Sequence, residues 1–215
     1  DVLTTGSTAP GTLTANVTGG GTTYNVAISG MTDSGTVVVT VPTGAAIDVS
    51  NNGNTASTST DNSVDYDVTR PSVTINQTVG QADPASVSPI NFTVVFNESV
   101  TGFNGADVAL TGTAGATTAV VTGGPTTYNV AVSGMTVSGT VIASIQAGNA
   151  QDAAGNGNAV STSTDNIVTF DATAPTVTIE QAAGQADPTN SSPITFTVVF
   201  SKPVSNFIDT DITLG

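Results

Sequence analysis

Four carboxylates stand where a hard cation could be held: Asp67, Glu98, Asp152 and Asp171. They belong to an acidic surplus of 16 Asp and Glu against two cations, Arg70 and Lys202, which gives a formal net charge of -14 over 215 residues. Calcium takes about six to eight oxygens, and carboxylates together with amide oxygens, such as those of Asn156 and Asn158, are the groups that supply them. The same residue types also satisfy their own turns. Asp and Asn side chains bond to nearby backbone groups, and the run DAAGNGN at 152–158 fits that reading equally well.

Most other chemistry is removed by composition. The chain has no histidine, cysteine or tryptophan, which takes away the commonest general base, every thiolate nucleophile and the usual zinc and haem ligands. The negative charge would repel a phosphate backbone, so nucleic acid is excluded as a partner. No apolar run approaches the roughly 20 residues of a membrane span, so direct membrane insertion is not expected, and any anchor or export signal is expected outside these residues. Paired acids cleave a glycosidic bond only where an apolar cleft raises the pKa of one of them, and nothing in the sequence marks such a cleft. The glycine clusters at 19–23 and 123–127 contain no lysine and precede no helix, so they read as hairpin turns rather than phosphate loops. An enzyme is not expected, and no cofactor other than calcium is suggested.

The elements that must position the acids are announced by a repeat. Tyr24, Gly30, Met31, Asp48, Asp67 and Pro71 recur 104 positions later as Tyr128, Gly134, Met135, Asp152, Asp171 and Pro175. Residues 71–174 form one complete repeat. Residues 1–70 correspond to a repeat lacking its first two strands, and residues 175–215 to the first two strands and the start of a third. A step of domain length indicates tandem, independently folding units. Without disulfides each must hold itself by core burial, which ~100 residues can supply.

In the complete repeat Ile90, Phe92, Val94 and Phe96 alternate with Asn91, Thr93 and Val95 at period two. The segment around Val73 and Ile75 and the runs 108–110, 118–121, 128–132, 140–145 and 167–170 bring the predicted strands to seven. Turn signals separate them, among them Gly123-Gly124-Pro125 and Ser133-Gly134, and no helical period intervenes. The pattern predicts an all-β fold, with each complete repeat a two-sheet antiparallel sandwich. Its expected core is Val73, Ile75, Ile90, Phe92, Val94, Phe96, Leu110, Val121, Tyr128, Val130, Val132, Val141, Ile145, Val168 and Phe170.

The runs FTVVFNESVTGF, ADVALTG, SGTVIASIQAGNAQDAAGNGNAVSTSTDN and VTFDATAPTVTI resemble the bacterial immunoglobulin-like repeats of large surface adhesins and secreted extracellular-matrix proteins, and the resemblance covers the whole chain. It implies tandem immunoglobulin-like sandwiches, an extracellular or cell-surface location, and a non-enzymatic role in a fibre, filament, biofilm matrix or adhesin stalk. Related repeats bind calcium at their domain junctions. A ligand- or glycan-binding module is the alternative it leaves open. The isopeptide crosslink of some related domains needs a lysine, and residues 71–174 contain none. Sequons at Asn16, Asn76, Asn91, Asn97 and Asn190 read as chance products of a Ser- and Thr-rich chain.

Strands that alternate in direction would place the loops 97–106 and 147–165 at the pole where the chain enters the repeat. Glu98, Asp107, Asp152 and Asp165 are therefore expected together, facing Asp67, with Asp83 at the opposite pole near Asp171. Arg70 is expected beside the loop carrying Glu98. In the next repeat the place of Glu98 is taken by Lys202, beside the linker carrying Asp171, so a salt bridge could replace calcium at a junction. Pro71 and Pro175 open their repeats and keep the preceding residue extended, which predicts short, stiff linkers. A rod of sandwiches about 40 Å each follows from strand rise and loops. Phe103 and Phe207 also recur and are expected to cover the sandwich end. The expected partners are neighbouring copies of the same repeat, in cis within a longer array or head to tail in trans by strand complementation.

Overall fold

Period-two alternation becomes strands along most of the chain in the computed structural model, which describes residues 2–214. In order these are β1 (Gly11–Gly20), β2 (Thr23–Met31), β3 (Gly35–Val38), β4 (Ser63–Tyr66), β5 (Val73–Gln77), β6 (Ile90–Phe96), β7 (Val108–Thr111), β8 (Thr118–Gly123), β9 (Thr127–Ser133), β10 (Gly139–Ile145), β11 (Ile167–Phe170), β12 (Val177–Gln181) and β13 (Phe196–Phe200). Single 3-10 turns at Gly105–Asp107 and Asp209–Asp211 are the only helical pieces among the described residues. The protein is all-β and its strand pairings are antiparallel. Two compact units are present, with the division between Phe170 and Asp171.

In the first unit β5 to β11 make two sheets, of order β5-β6-β9-β8 and β11-β10-β7. Their apolar faces share one core. Ile90, Phe92, Val94 and Phe96 on β6 are at most 2% exposed, whereas Val95 between them is 43% exposed, so a single face carries the burial. Val108, Val141, Ala143, Ile145, Val168 and Phe170 answer from the three-stranded sheet. The expected core residues are buried except Leu110 and Val121, which are half-buried on β7 and β8, the edge strands of their sheets. Loops add Ala85, Val100, Phe103, Ala114 and Ala150, which no strand period could announce. Phe103 packs edge-on against Phe96 and Tyr128, at centroid distances of 5.5 and 5.1 Å, and closes one end of the core.

The repeat is visible in strand register. Val73 faces Phe96 in the β5–β6 pair, and Val177 faces Phe200 in β12–β13. Gly139 faces Phe170 in β10–β11, and Gly35 faces Tyr66 in β3–β4. Gly123 faces Tyr128, and Gly19 faces Tyr24. At that hairpin glycine is required. Gly19 and Gly123 have φ of +107° and +99°, and a Cβ would lie 2.6 and 2.8 Å from the carbonyl oxygens of Thr23 and Thr127. Each piece therefore pairs its strands as the complete repeat does.

Burial does not follow the repeat. In the pieces at either end several equivalents of core residues lie open: Tyr24 is 58% exposed, Val64 71%, Ile179 56% and Phe196 61%, whereas Val37, the equivalent of Val141, stays buried.

Candidate functional site

The junction carboxylates are held by three separate pieces of chain. Asp67 follows β4 in the linker to Pro71, where its Oδ1 accepts from the Ser34 hydroxyl (2.9 Å) and the Thr69 N–H (2.8 Å). Glu98 sits in the turn after β6. That turn is pinned to the linker through Asn97, whose Oδ1 accepts from the Ser72 N–H (2.7 Å) and whose own N–H donates to the Ser72 carbonyl (3.1 Å). Pro71, fully buried, accepts the Ala159 N–H at its carbonyl (2.8 Å), so the linker is clamped on both sides.

Asp152 belongs to the long loop after β10 and is only 6% exposed. Its Oδ1 accepts from the N–H groups of Ala154 (2.9 Å) and Asn156 (2.8 Å), and its Oδ2 from the Asn156 side-chain amide (2.9 Å). Burial alone would push this carboxyl up. The Asn156 amide and the backbone N–H groups of Asn156, Ala154 and Gly155 outweigh it and hold the group below the usual aspartate range. The Asn156 amide nitrogen also donates to the Asp67 carbonyl (3.1 Å), tying the loop to the preceding linker. Asn158, wholly buried, anchors the loop base: its Oδ1 accepts the Ala150 N–H, and its amide donates to the Gln146 and Ala159 carbonyls. Its polar atoms serve the loop. Asn156 and Asn158 thus act chiefly as structural ties, and sequence spacing alone could not separate that role from metal ligation.

One carboxylate oxygen from each of Asp67, Glu98 and Asp152 lies within 4.8 Å of the other two. Three like charges so close repel one another, and a divalent cation is the simplest group to compensate them. The triad could supply three of calcium's oxygens.

Asp171 lies in the second unit, where Lys202 Nζ approaches its Oδ2 at 2.6 Å and also donates to the Thr173 carbonyl (2.8 Å). Repeat equivalence makes Asp171 the counterpart of Asp67 and Lys202 the counterpart of Glu98. A glutamate-to-lysine exchange therefore turns a carboxylate pair into an ion pair. Pro175, the counterpart of the buried Pro71, is exposed.

Other expectations for the junction need correction. Arg70 is exposed and forms no ion pair with Glu98, because the only salt bridge among the described residues is that of Lys202. Asp107 turns its carboxylate onto the Asn104 N–H (2.8 Å), capping the 3-10 turn instead of joining the triad. Asp165 is carried away from the cluster, because residues 159–162 run parallel to β5 instead of staying at the pole. Its N–H reaches Asn76 Oδ1 (3.1 Å) and its carbonyl accepts the Gln77 N–H, at the far end of β5. Asp83 accepts from the Thr169 N–H (2.9 Å), which fastens the 77–89 loop beside β11.

The recess on the complete repeat lined by Thr78, Val79, Gly80, Gln81, Asn91 and Asn129 contains no ionisable side chain. No helix among the described residues is long and apolar enough to cross a membrane. No family model, curated protein or solved structure matches the chain.

Proposed function

We propose that the chain is a segment of a non-enzymatic structural array: tandem immunoglobulin-like sandwiches forming part of an extracellular fibre, filament or adhesin stalk, with neighbouring copies of the same repeat as its partners. The observation that carries this reading is the recurrence, 104 positions apart, of the same strand registers in β5–β6 and β12–β13, in β10–β11 and β3–β4, and in β8–β9 and β1–β2. Neighbours built alike are interchangeable, as mechanical spacers require and specialised binding modules do not. The sheet orders β5-β6-β9-β8 and β11-β10-β7 match the four-on-three arrangement of an immunoglobulin constant-type sandwich.

Surface character supports the stalk over a glycan- or ligand-binding module. Binding surfaces concentrate exposed aromatics. Every aromatic side chain of the complete repeat is buried: Phe92, Phe96, Phe103, Tyr128 and Phe170. What this repeat presents instead is valine, threonine and a low density of charge.

Single-molecule pulling of the native protein tests the reading. Each 104-residue repeat should add roughly 300–350 Å of contour length on unfolding, at ~3.3–3.6 Å per residue less the folded span. Irregular steps, or saturable binding of a glycan to the complete repeat, would overturn it.

A further inference from the structure

We propose that the complete repeat and the junction before it are closed to two classes of serine protease. Enzymes that cut after arginine or lysine are stopped by the covalent sequence, and enzymes that cut after an aromatic residue are stopped by the fold. Both barriers hold whether or not the chain is part of an array.

These proteases seat the side chain before the cut bond in a dedicated pocket, and the amine after it must leave as the acyl group passes to the serine. Residues 71–174 contain neither arginine nor lysine. The two cations of the chain, Arg70 and Lys202, are each followed by proline, at Pro71 and Pro203. A proline nitrogen carries no N–H, and its ring carbon fills the place of that hydrogen beside the catalytic histidine, so neither bond is a substrate. Domain boundaries are ordinary points of proteolytic attack, and at this one Pro71 removes the susceptible bond. Comparison of the repeats shows the same pairing. Glu98-Ser99 is replaced at the equivalent positions by Lys202-Pro203, so the copy that gains a lysine gains a proline behind it.

The second barrier is burial. Phe92, Phe96, Phe103, Tyr128 and Phe170, the aromatic residues of the complete repeat, are at most 8% exposed. All but Phe103 lie on β6, β9 and β11, where the backbone is held in the sheets, so cleavage beside them must wait for unfolding. The loops 77–89 and 147–165 contain no aromatic residue, arginine or lysine. Access is not what protects them: Val79, Val87 and Val160 are 101%, 70% and 54% exposed. Where a protease can reach the repeat, the side chain it needs is missing.

Digestion of the full chain, with fragments read by mass, tests both barriers. In urea that abolishes β-structure and still lets trypsin cut Val79→Arg, wild type should outlast Pro71→Ala by at least about a hundredfold, with Pro71→Ala cut after Arg70. Chymotrypsin should spare the bonds after the five buried rings in the folded chain and cut them in urea. Folded Val79→Arg should be cut by trypsin after residue 79, because that loop is open. Three results would each overturn the proposal: wild type cut at Arg70 as fast as Pro71→Ala, native chymotrypsin cuts after the buried rings, or a Val79→Arg chain with intact β-structure that resists trypsin. The last would place the protection in loop rigidity. None of them alters the contour-length steps on pulling, so the array reading fails separately.

Discussion

The complete repeat and the hairpin β12–β13 contain the same strand pair in the same register, yet Phe92 is fully buried and its equivalent Phe196 is 61% exposed. The difference separates two kinds of information. Pairing register belongs to the hairpin and its turn, and it is the same in both places. Burial belongs to the two sheets together. The same contrast governs the junction, where Asp67 meets Glu98 and Asp152, while its equivalent Asp171 meets Lys202.

The largest expected effect comes from the core. Phe92→Ala should destabilise the first unit by about 3–5 kcal/mol. Phe196→Ala should cost the 215-residue chain less than about 1 kcal/mol, since it removes a ring that is 61% exposed. Urea unfolding, with hydrogen exchange resolved by peptide, measures both. Equal costs would break the comparison.

Next come the loop anchors. Asn158→Ala strands the Ala150 N–H and the carbonyls of Gln146 and Ala159 in a buried loop, for an expected loss of about 2–4 kcal/mol. Asn54 makes the equivalent bonds in the first piece but is only half-buried. Water can replace its bonds, so Asn54→Ala should cost about 1 kcal/mol by the same urea titration.

The charge exchange should be smaller and opposite in sign at the two junctions. In chelator, Glu98→Lys sets a cation beside Asp67 and Asp152 and should raise the melting temperature by about 1–3 °C, while Lys202→Glu should lower that of the second unit by a similar amount. A calcium ion held by Asp67, Glu98 and Asp152 would act on the same carboxylates. A rise in melting temperature with calcium that is present in wild type and lost in Glu98→Lys would identify the triad as its place of action.

Acid should bring the gentlest change. Burial works against the charged form of Asp152, but hydrogen bonds from Asn156, Ala154 and Gly155 prevail; Asp48 is lowered mainly by the Asn52 side-chain amide. A carboxyl held lower in the folded than in the unfolded chain stabilises fully above its unfolded value, and that contribution is lost as pH falls through the folded one. Stability should therefore be flat with respect to these two groups from pH 7 to 5 and decline below about pH 4. Asp152→Asn should flatten the decline, as thermal melts across that range would record.

The strands were legible because each alternates cleanly. Runs such as Ile90 to Phe96 and Ile167 to Phe170 satisfy one buried face whatever lies across from it. Burial of Ala85, Val100 and Ala150 was not legible, since loop residues follow no period. At the junction the acids were visible as a list but not as a group. Asp165 was lost from the cluster because the connection to β11 crosses along β5, a path that depends on hydrogen bonds between residues nearly ninety positions apart.

By itself the sequence determined the repeat, the all-β class, the strand positions and the absence of thiol or imidazole chemistry, because these depend on residue type and local spacing. Tertiary structure alone decided which acids meet, that Asn156 joins a loop to the preceding linker, and which copies of the same apolar face are buried. Those outcomes depend on groups distant in sequence arriving within a few ångströms, and on two sheets packing face to face to exclude water.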